Sequence, residues 1–153
     1  MMRKHVELPD GSSENGTVEA LRNTYKILDR RITSLLSERG LTRPQFLALK
    51  VVSDGGSVPM NKISDCLSVT PGNVTGIIDR LVKSGFLRRK GKVGDRRKIM
   101  IELTKSGKET YLNVRSAYTS FLEKVLQEMN IEERQELRKH LIKLEEALNR
   151  VDA

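Results

Sequence analysis

Residues 70–85 constrain the fold of this chain more than any other stretch. Apolar side chains recur there at the spacing of a helix that buries one stripe: Val74, Ile77, Ile78, Leu81 and Val82. Thr70 is a good N-cap, Pro71 suits the first helical position, and Gly85 is a typical helix stop. The stretch is therefore predicted to be a helix with one buried and one exposed face.

A shorter helix, Met60–Leu67, is predicted directly before it, with a tight turn at Ser68 and Val69. Two short helices joined by such a turn form a helix-turn-helix, whose second helix enters the major groove of DNA. The exposed face of the second helix is rich in small and hydrogen-bonding residues, which suits close approach to base edges. The residues predicted to face the bases are Thr70, Gly72, Asn73, Thr75 and Gly76.

A basic β-hairpin is predicted after this helix. Residues 86–90 and 98–103 have the composition and alternation of two strands, and residues 91–97 have the glycines of a loop between them. The predicted fold class is mainly α with a small β-hairpin wing, a winged helix-turn-helix with N-terminal and C-terminal dimerisation helices.

The positive charge of the chain is concentrated in this helix and hairpin. The chain carries 28 Lys and Arg against 20 Asp and Glu, a net charge of +8. Residues 80–98 hold nine basic residues and only Asp95 among acidic ones, so this one segment accounts for the whole excess. A run of charge is often no more than a solvated face, but its coincidence with a helix-turn-helix favours a polyanion site.

Most of these basic side chains are predicted to contact DNA phosphates. This group comprises Arg88, Arg89, Lys90, Lys92, Arg96 and Lys98. Arg80 is predicted either to bind phosphate or to brace the wing.

Two segments resemble the MarR family of bacterial and archaeal transcription regulators. The first is LSVTPGNVTGIIDRLVKSGFL at residues 67–87, and the second is Asp95-Arg96-Arg97 followed by LTKSG at residues 103–107. The resemblance implies a homodimeric winged-helix regulator that binds a short inverted repeat in double-stranded DNA and is often released by a small ligand or an oxidant. It also implies that Arg97 enters the minor groove and that Asp95 holds it in position.

The remaining chain is predicted to serve dimerisation. Residues 1–16 are expected to be a flexible arm, and residues 17–153 a single domain with a DNA-binding lobe at 42–103. Residues 17–39 and 104–153 are the expected dimerisation helices. The last helix carries leucines at alternating spacings of four and three, close to a coiled-coil seam that needs a partner.

Several function classes find no support in the residues. His5 and His140 have no nucleophile or metal ligand at a suitable spacing, so neither an enzyme, a metal site nor a cofactor is expected. One cysteine allows no intramolecular disulfide, and no stretch is long enough to span a bilayer. A cytoplasmic protein without membrane partners is the simplest expectation.

Three alternatives stay open at this point. The chain could be an architectural or RNA-binding winged helix without an effector, which would show no large preference for one duplex sequence. It could be a thiol sensor, although Cys66 shares a helix face with Ile63 and Leu67 and is expected to be a small buried hydrophobe. Four aromatic residues are either core residues or the lining of a cleft for a small-molecule effector: Tyr25, Phe46, Tyr111 and Tyr118.

Arg97→Ala is expected to weaken operator binding far more than Lys105→Ala. Arg97 is assigned to the minor groove, where narrow A·T-rich segments concentrate negative potential, whereas Lys105 lies outside the basic segment. Equilibrium titration of an operator duplex with each variant measures the difference. Equal losses would refute the assignment.

Overall fold

A computed structural model describes the backbone of residues 14–92 and 95–151 and the side chains of residues 16–91 and 99–151. Six helices and three strands lie within these residues. In chain order they are α1 (Glu14–Ser37), α2 (Arg43–Gly55), β1 (Ser57–Pro59), α3 (Met60–Leu67), α4 (Pro71–Lys83), β2 (Leu87–Lys92), β3 (Asp95–Leu103), α5 (Lys105–Leu126) and α6 (Ile131–Val151).

The predicted mainly α fold with a winged helix-turn-helix is confirmed, with one strand added to the wing. The sheet is antiparallel in the order β1-β3-β2, so β3 is the central strand. The strand that the sequence did not predict, β1, has three residues and ends in a proline. So short a segment shows no alternation to detect, and it forms because Val58 pairs with Ile101 of β3 and is itself buried.

The helix caps follow the sequence signals. The Thr70 hydroxyl accepts from the Asn73 amide at the start of α4, and Gln45 Oε1 accepts from the Thr42 amide at 2.8 Å before α2. Before α6, the Asn130 amide donates to the Glu133 carboxylate at 2.7 Å and the Glu133 amide donates to Asn130 Oδ1 at 2.9 Å. Both halves of this predicted capping box are therefore present.

Three predicted boundaries need correction. The first helix begins at Glu14, so the last residues of the expected 1–16 arm are helical, and residues 1–13 lie outside the described residues. The first wing strand begins at Leu87 and not at Phe86. The Phe86 amide donates a hydrogen bond to Leu81 O at 2.9 Å, at the C-terminal end of α4, and so does not take part in the sheet. The strands continue to Lys92 and resume at Asp95, because Gly91 pairs with Ile99 and Lys92 pairs with Asp95, with a register irregularity between Gly91 and Lys92.

The chain divides into two compact units, Met1–Val114 and Arg115–Ala153. The first unit has a continuous apolar core. Its fully buried side chains come from α1, α2, α3, α4, α5 and all three strands: Leu36, Leu49, Val52, Val58, Ile63, Val74, Ile78, Leu81, Leu87, Ile101 and Val114. The residues predicted to form the stripe of α4 are thus buried at Val74, Ile78 and Leu81 and half-buried at the other two positions.

Two helices leave large apolar side chains exposed. The N-terminal half of α1 exposes Val18, Leu21, Tyr25 and Ile27, although Ile32 and Leu36 further along are buried. In α6 no residue is buried, and its exposed apolar residues are Ile131, Leu141, Ile142, Leu148 and Val151. An amphipathic helix with no buried residue has not satisfied its apolar face within one chain.

The end of the wing is tied to the end of α4 through Thr104. Its hydroxyl donates to Gly85 O at 2.6 Å and accepts from the Gly107 amide at 3.0 Å, while its own amide donates to Phe86 O at 3.0 Å. Gly85 adopts a φ of 75°, which glycine tolerates and other residues rarely do. The first turn of α5 therefore packs directly on the loop that follows α4.

Gly107→Ala is expected to lower the free energy of unfolding by about 1–3 kcal/mol, since an added Cβ would collide with the Phe86 carbonyl group. Gly76→Ala is the matched control. A Cβ at Gly76 meets nothing within 4 Å, so this variant should gain up to about 1 kcal/mol from helix propensity. Urea denaturation followed by circular dichroism measures both. Wild-type stability of Gly107→Ala would contradict the close packing.

Candidate nucleic-acid interface

The turn between α3 and α4 is short and hydrogen-bonded. Ser68 adopts a left-handed conformation with φ 51°, and its amide donates to Asp65 O at 3.2 Å. The next amide, of Val69, donates to Ser64 O at 3.2 Å. These bonds satisfy the last carbonyls of α3 and set the angle at which α4 leaves the turn.

The two faces of α4 separate as the sequence predicts. Its buried stripe packs into the core of the first unit, so the opposite face points to solvent. The exposed residues of α4 include Gly72, Asn73, Thr75, Gly76, Asp79, Arg80 and Lys83, and the capping residue Thr70 is exposed as well. Every residue predicted to face the bases is therefore accessible.

Local hydrogen bonds determine what the two threonines can offer a ligand. Thr75 Oγ1 donates to Pro71 O at 2.9 Å, so its single proton is used and the oxygen can only accept from outside. Thr70 Oγ1 accepts from the Asn73 amide at 3.4 Å and keeps its proton for a phosphate oxygen or a base. The same helix face therefore presents an acceptor at Thr75 and a donor at Thr70.

Gly72 and Gly76 leave open space on the exposed face. A Cβ built at either position meets nothing within 4 Å, and neither residue has a positive φ. Packing within the chain therefore does not require glycine at these positions. Absence of a side chain does allow the helix backbone to come closer to a ligand, as at a base edge.

Strand alternation divides the basic residues of β2 between two faces of the sheet. Arg89 lies on the α4 side, where its Nη2 is 2.5 Å from Asp79 Oδ1. Arg88 and Lys90 lie on the opposite face and both contact Glu102 of β3. These three consecutive cations therefore cannot contact one flat surface together.

Glu102 is a centre of charge on the outer face of the sheet. Its Oε2 accepts from Arg88 Nε at 3.0 Å and from Arg88 Nη2 at 2.8 Å, and its Oε1 lies 3.5 Å from Lys90 Nζ. The hydrogen bond from Arg88 lowers the pKa of the Glu102 carboxyl below its ordinary value of 4.5, outweighing partial burial, which raises it. A hydrogen bond from Ser57 and the charges of Lys90 and Arg88 lower this pKa further.

The structural roles of Asp79 and Glu102 do not follow from the sequence. The helical and strand patterns place Asp79 only on the exposed face of α4, and Glu102 only on the polar side of a strand. Either role requires knowing which residues lie opposite each other, and Arg88 is directly opposite Glu102 in the observed register. The sequence offered one signal for the role of Glu102, since a basic residue on one predicted strand could lie opposite an acidic residue on the other.

The tip of the wing lies partly outside the described residues. This applies to the side chains of Lys92, Asp95, Arg96, Arg97 and Lys98, including the arginine assigned to the minor groove. Their backbone belongs to β2 and β3. Their roles at DNA stay predictions.

The four aromatic residues of the predicted cleft occupy different surroundings. Phe46 and Tyr111 pack together in the first unit, with ring centroids 5.7 Å apart and planes inclined by 30°, and Tyr111 is buried. Tyr25 is exposed on α1, and Tyr118 is half-buried in the second unit. Tyr111 thus fills core space, as the alternative interpretation of these aromatics holds.

The prediction that Cys66 is buried is wrong. The thiol-bearing residue is exposed, because Ile63 and Ser64 are the residues of α3 that turn into the core. Cys66 instead lines an open cavity of about 330 Å³ between α2 and α3, together with Lys50 and Lys62. Ile63 is buried and Leu67 is half-buried as expected, but Ser64 occupies the buried position that was expected of Cys66.

Two kinds of feature are absent from the described part of the chain. No three side chains among His, Cys, Asp and Glu come together there as metal ligands. None of the described helices combines the length and the apolar character needed to cross a bilayer.

An exposed helix face, a tight turn and a three-stranded wing define the winged helix-turn-helix class. Residues 41–99 match the family model described as the MarR family. The chain is 30% identical to an uncharacterized HTH-type transcriptional regulator, YhbI of Bacillus subtilis. The aligned region has 118 residues and covers 77% of each protein. The chain belongs to the MarR family of helix-turn-helix transcriptional regulators, which are DNA-binding proteins and not enzymes.

Solved structures agree on the fold. The YusO protein of Bacillus subtilis is 22% identical, with a TM-score of 0.77 over 89% of this chain and 99% of that one. A variant of MepR from S. aureus, solved bound to an oligodeoxyribonucleotide, is 19% identical, with a TM-score of 0.67 over 86% and 97%. At these identities the likeness concerns the fold alone.

Glu102→Gln is expected to lower the melting temperature at neutral pH. A folded-state pKa below 4.5 means that the ionised carboxylate stabilises the fold above this value, and that the contribution disappears as the pH falls through the lower folded pKa. The gap in melting temperature between wild type and variant should therefore close below about pH 4.5. Thermal scans at several pH values test this, with Glu123→Gln on α5 as the control. A gap independent of pH would contradict the charge pairing.

Proposed function

We propose that this chain is a sequence-specific transcriptional repressor that acts as a homodimer on an inverted-repeat operator. The observation that carries the proposal is the exposed face of α4. It presents two glycines, an asparagine and two threonines to solvent on a helix whose other face is locked into the core. Such a face suits the reading of base edges in a major groove.

Individual residues of this face have distinct tasks in the proposal. Asn73 is exposed at the N-terminal end of α4, where an amide can bond an adenine edge through two hydrogen bonds. Thr75 acts as an acceptor because its proton is bound to Pro71 O. Arg80 contacts phosphate, since Arg89 already forms the ion pair that links β2 to α4 at Asp79.

The wing supplies the second contact in the proposal. Arg97 enters the minor groove with Asp95 beside it, and Lys92, Arg96 and Lys98 bind flanking phosphates. The Asp79–Arg89 pair supports this arrangement, because it joins the recognition helix to the first wing strand. A wing held to α4 reaches the groove adjacent to the one that α4 occupies.

A second copy of the chain is the proposed partner of the exposed apolar residues. Val18, Leu21 and Ile27 on α1 are each at least half exposed, and so are Leu141 and Leu148 on α6. The alternating spacing of the leucines in α6 resembles a coiled-coil seam, which another helix covers. Two-fold symmetry then places two α4 helices about 34 Å apart on one face of the duplex.

This geometry explains how repression and release would work. A dimer bound across a promoter excludes polymerase without any additional contact. A small ligand lowers the affinity for DNA if it binds more tightly to a form of the dimer in which the two α4 helices are not at the separation that the duplex requires. Tyr25, which is exposed on α1, is the aromatic residue proposed to contact such a ligand, because Phe46 and Tyr111 are packed against each other.

Leu148→Glu is expected to convert the dimer into a monomer and to weaken operator binding at least tenfold. Leu148 is 59% exposed within one chain, so the charge should disturb the interface without disrupting the fold of the subunit. Sedimentation and circular dichroism measure assembly and folding separately. Lys143→Glu, an exposed site on the same helix, is the control. A Leu148→Glu dimer with wild-type affinity would place the interface elsewhere.

Selection from a pool of random duplexes near physiological salt tests the function directly. An inverted repeat with half-sites one helical turn apart is the expected product. Asn73→Ala should then lose about 1–3 kcal/mol at one position of each half-site and relax the choice of base there. Asn113→Ala, an exposed site on α5, should retain wild-type selectivity.

A different selection result would favour another function. Uniform, salt-sensitive binding without a consensus would indicate an architectural protein, and preference for RNA loops would indicate an RNA-binding one. Loss of operator binding after alkylation of the exposed Cys66 would add a thiol switch to the regulator.

A further inference from the structure

The outer face of the wing carries a compact charge cluster, formed by Ser57, Arg88, Lys90 and Glu102. Ser57 of β1 and Arg88 of β2 both lie directly opposite Glu102 of the central strand, so the three residues form one row across the sheet. Lys90 is two residues along β2, on the same face, and reaches the same carboxylate.

The carboxylate is much less exposed than the cations around it. The Glu102 side chain is 16% exposed, whereas those of Arg88 and Lys90 are 62% and 59% exposed. Each carboxylate oxygen is engaged, Oε2 by Arg88 and Oε1 by Lys90. The two cations are therefore accessible to a phosphate but already have an anion beside them.

A paired cation contributes little to DNA binding. The carboxylate offsets part of the positive charge that would attract a phosphate, and it repels the incoming phosphate itself. By contrast, an unpaired lysine or arginine that neutralises a phosphate releases a counter-ion and strengthens binding to every sequence equally.

We propose that Glu102 is a built-in counter-ion that keeps Arg88 and Lys90 from binding DNA phosphates. It lowers the part of the affinity that is the same for every DNA sequence. Residues of α4 and of the tip of the wing then distinguish one sequence from another. This inference rests on the proposed function, because it assumes that the wing lies against a duplex.

Glu102→Gln tests the inference through the salt dependence of binding to a duplex of random sequence. The amide keeps the shape of the side chain and removes its charge, so both cations become available. The slope of log affinity against log salt should steepen by about 0.9 for each additional phosphate that the protein neutralises. Each additional phosphate corresponds to a further loss of roughly 3.5-fold in affinity over a fourfold rise in salt.

The ratio of operator affinity to random-duplex affinity should stay at the wild-type value in the same variant. Both affinities should rise at low salt by the same factor, because the additional phosphate contacts do not depend on sequence. Glu123→Gln is the matched control, because it changes net charge equally from an exposed site on α5 and should keep the wild-type slope. Circular dichroism at the assay temperature verifies that each variant is folded.

A triple variant shows whether the two cations cause the effect. Adding Arg88→Gln and Lys90→Gln to Glu102→Gln should return the slope to the wild-type value. Loss of binding in Glu102→Gln, or a slope that stays at the wild-type value, would overturn the inference and leave operator binding by the wild type intact. Failure of the wild type to bind any duplex would overturn the proposed function and this inference together.

Discussion

Burial of one face of α4 is the constraint on which the rest of the structure depends. Val74, Ile78 and Leu81 are at most 2% exposed, and burial of each such side chain is worth about 1.5–3 kcal/mol. Rotation of the helix about its axis would expose this stripe, so the helix is held in one orientation and its opposite face points to solvent. The exposed face of α4 is therefore oriented by residues that are buried in the core.

One ion pair joins the wing to this helix, and two more within the wing partly compensate its positive charge. Asp79 holds Arg89 on the α4 side of the sheet, and Glu102 holds Arg88 and Lys90 on the other side. Successive side chains of a strand point in opposite directions, so a run of basic residues in a strand is divided between two faces of the sheet with different partners. Basic composition alone overstates the number of cations that are free to bind a polyanion.

Helices and the wing hairpin, which have a strong periodic signal, were predicted well, whereas the short strand β1 was not. Helix α3 was predicted at its observed bounds, and the caps at Thr70 and Asn130 form the expected bonds. Strand β1 was missed because its stability comes from Ile101, which is more than forty residues away along the chain. Cys66 was predicted to be buried but is exposed. Helical spacing shows which residues share a face, but the elements packed against the helix determine how much of that face is buried.

The sequence by itself determined the helix-turn-helix, the exposed face of α4, the position of the basic segment and membership of a family. The first three follow from local periodicity, capping residues and charge, which are properties of neighbouring residues. The family follows from the resemblance of residues 67–87, 95–97 and 103–107 to its members. Only the tertiary structure decided that Glu102 pairs with two wing cations, that Asp79 pairs with a third, and that Cys66 faces outward. These features depend on strand register and on contacts between distant segments, and a linear pattern contains neither.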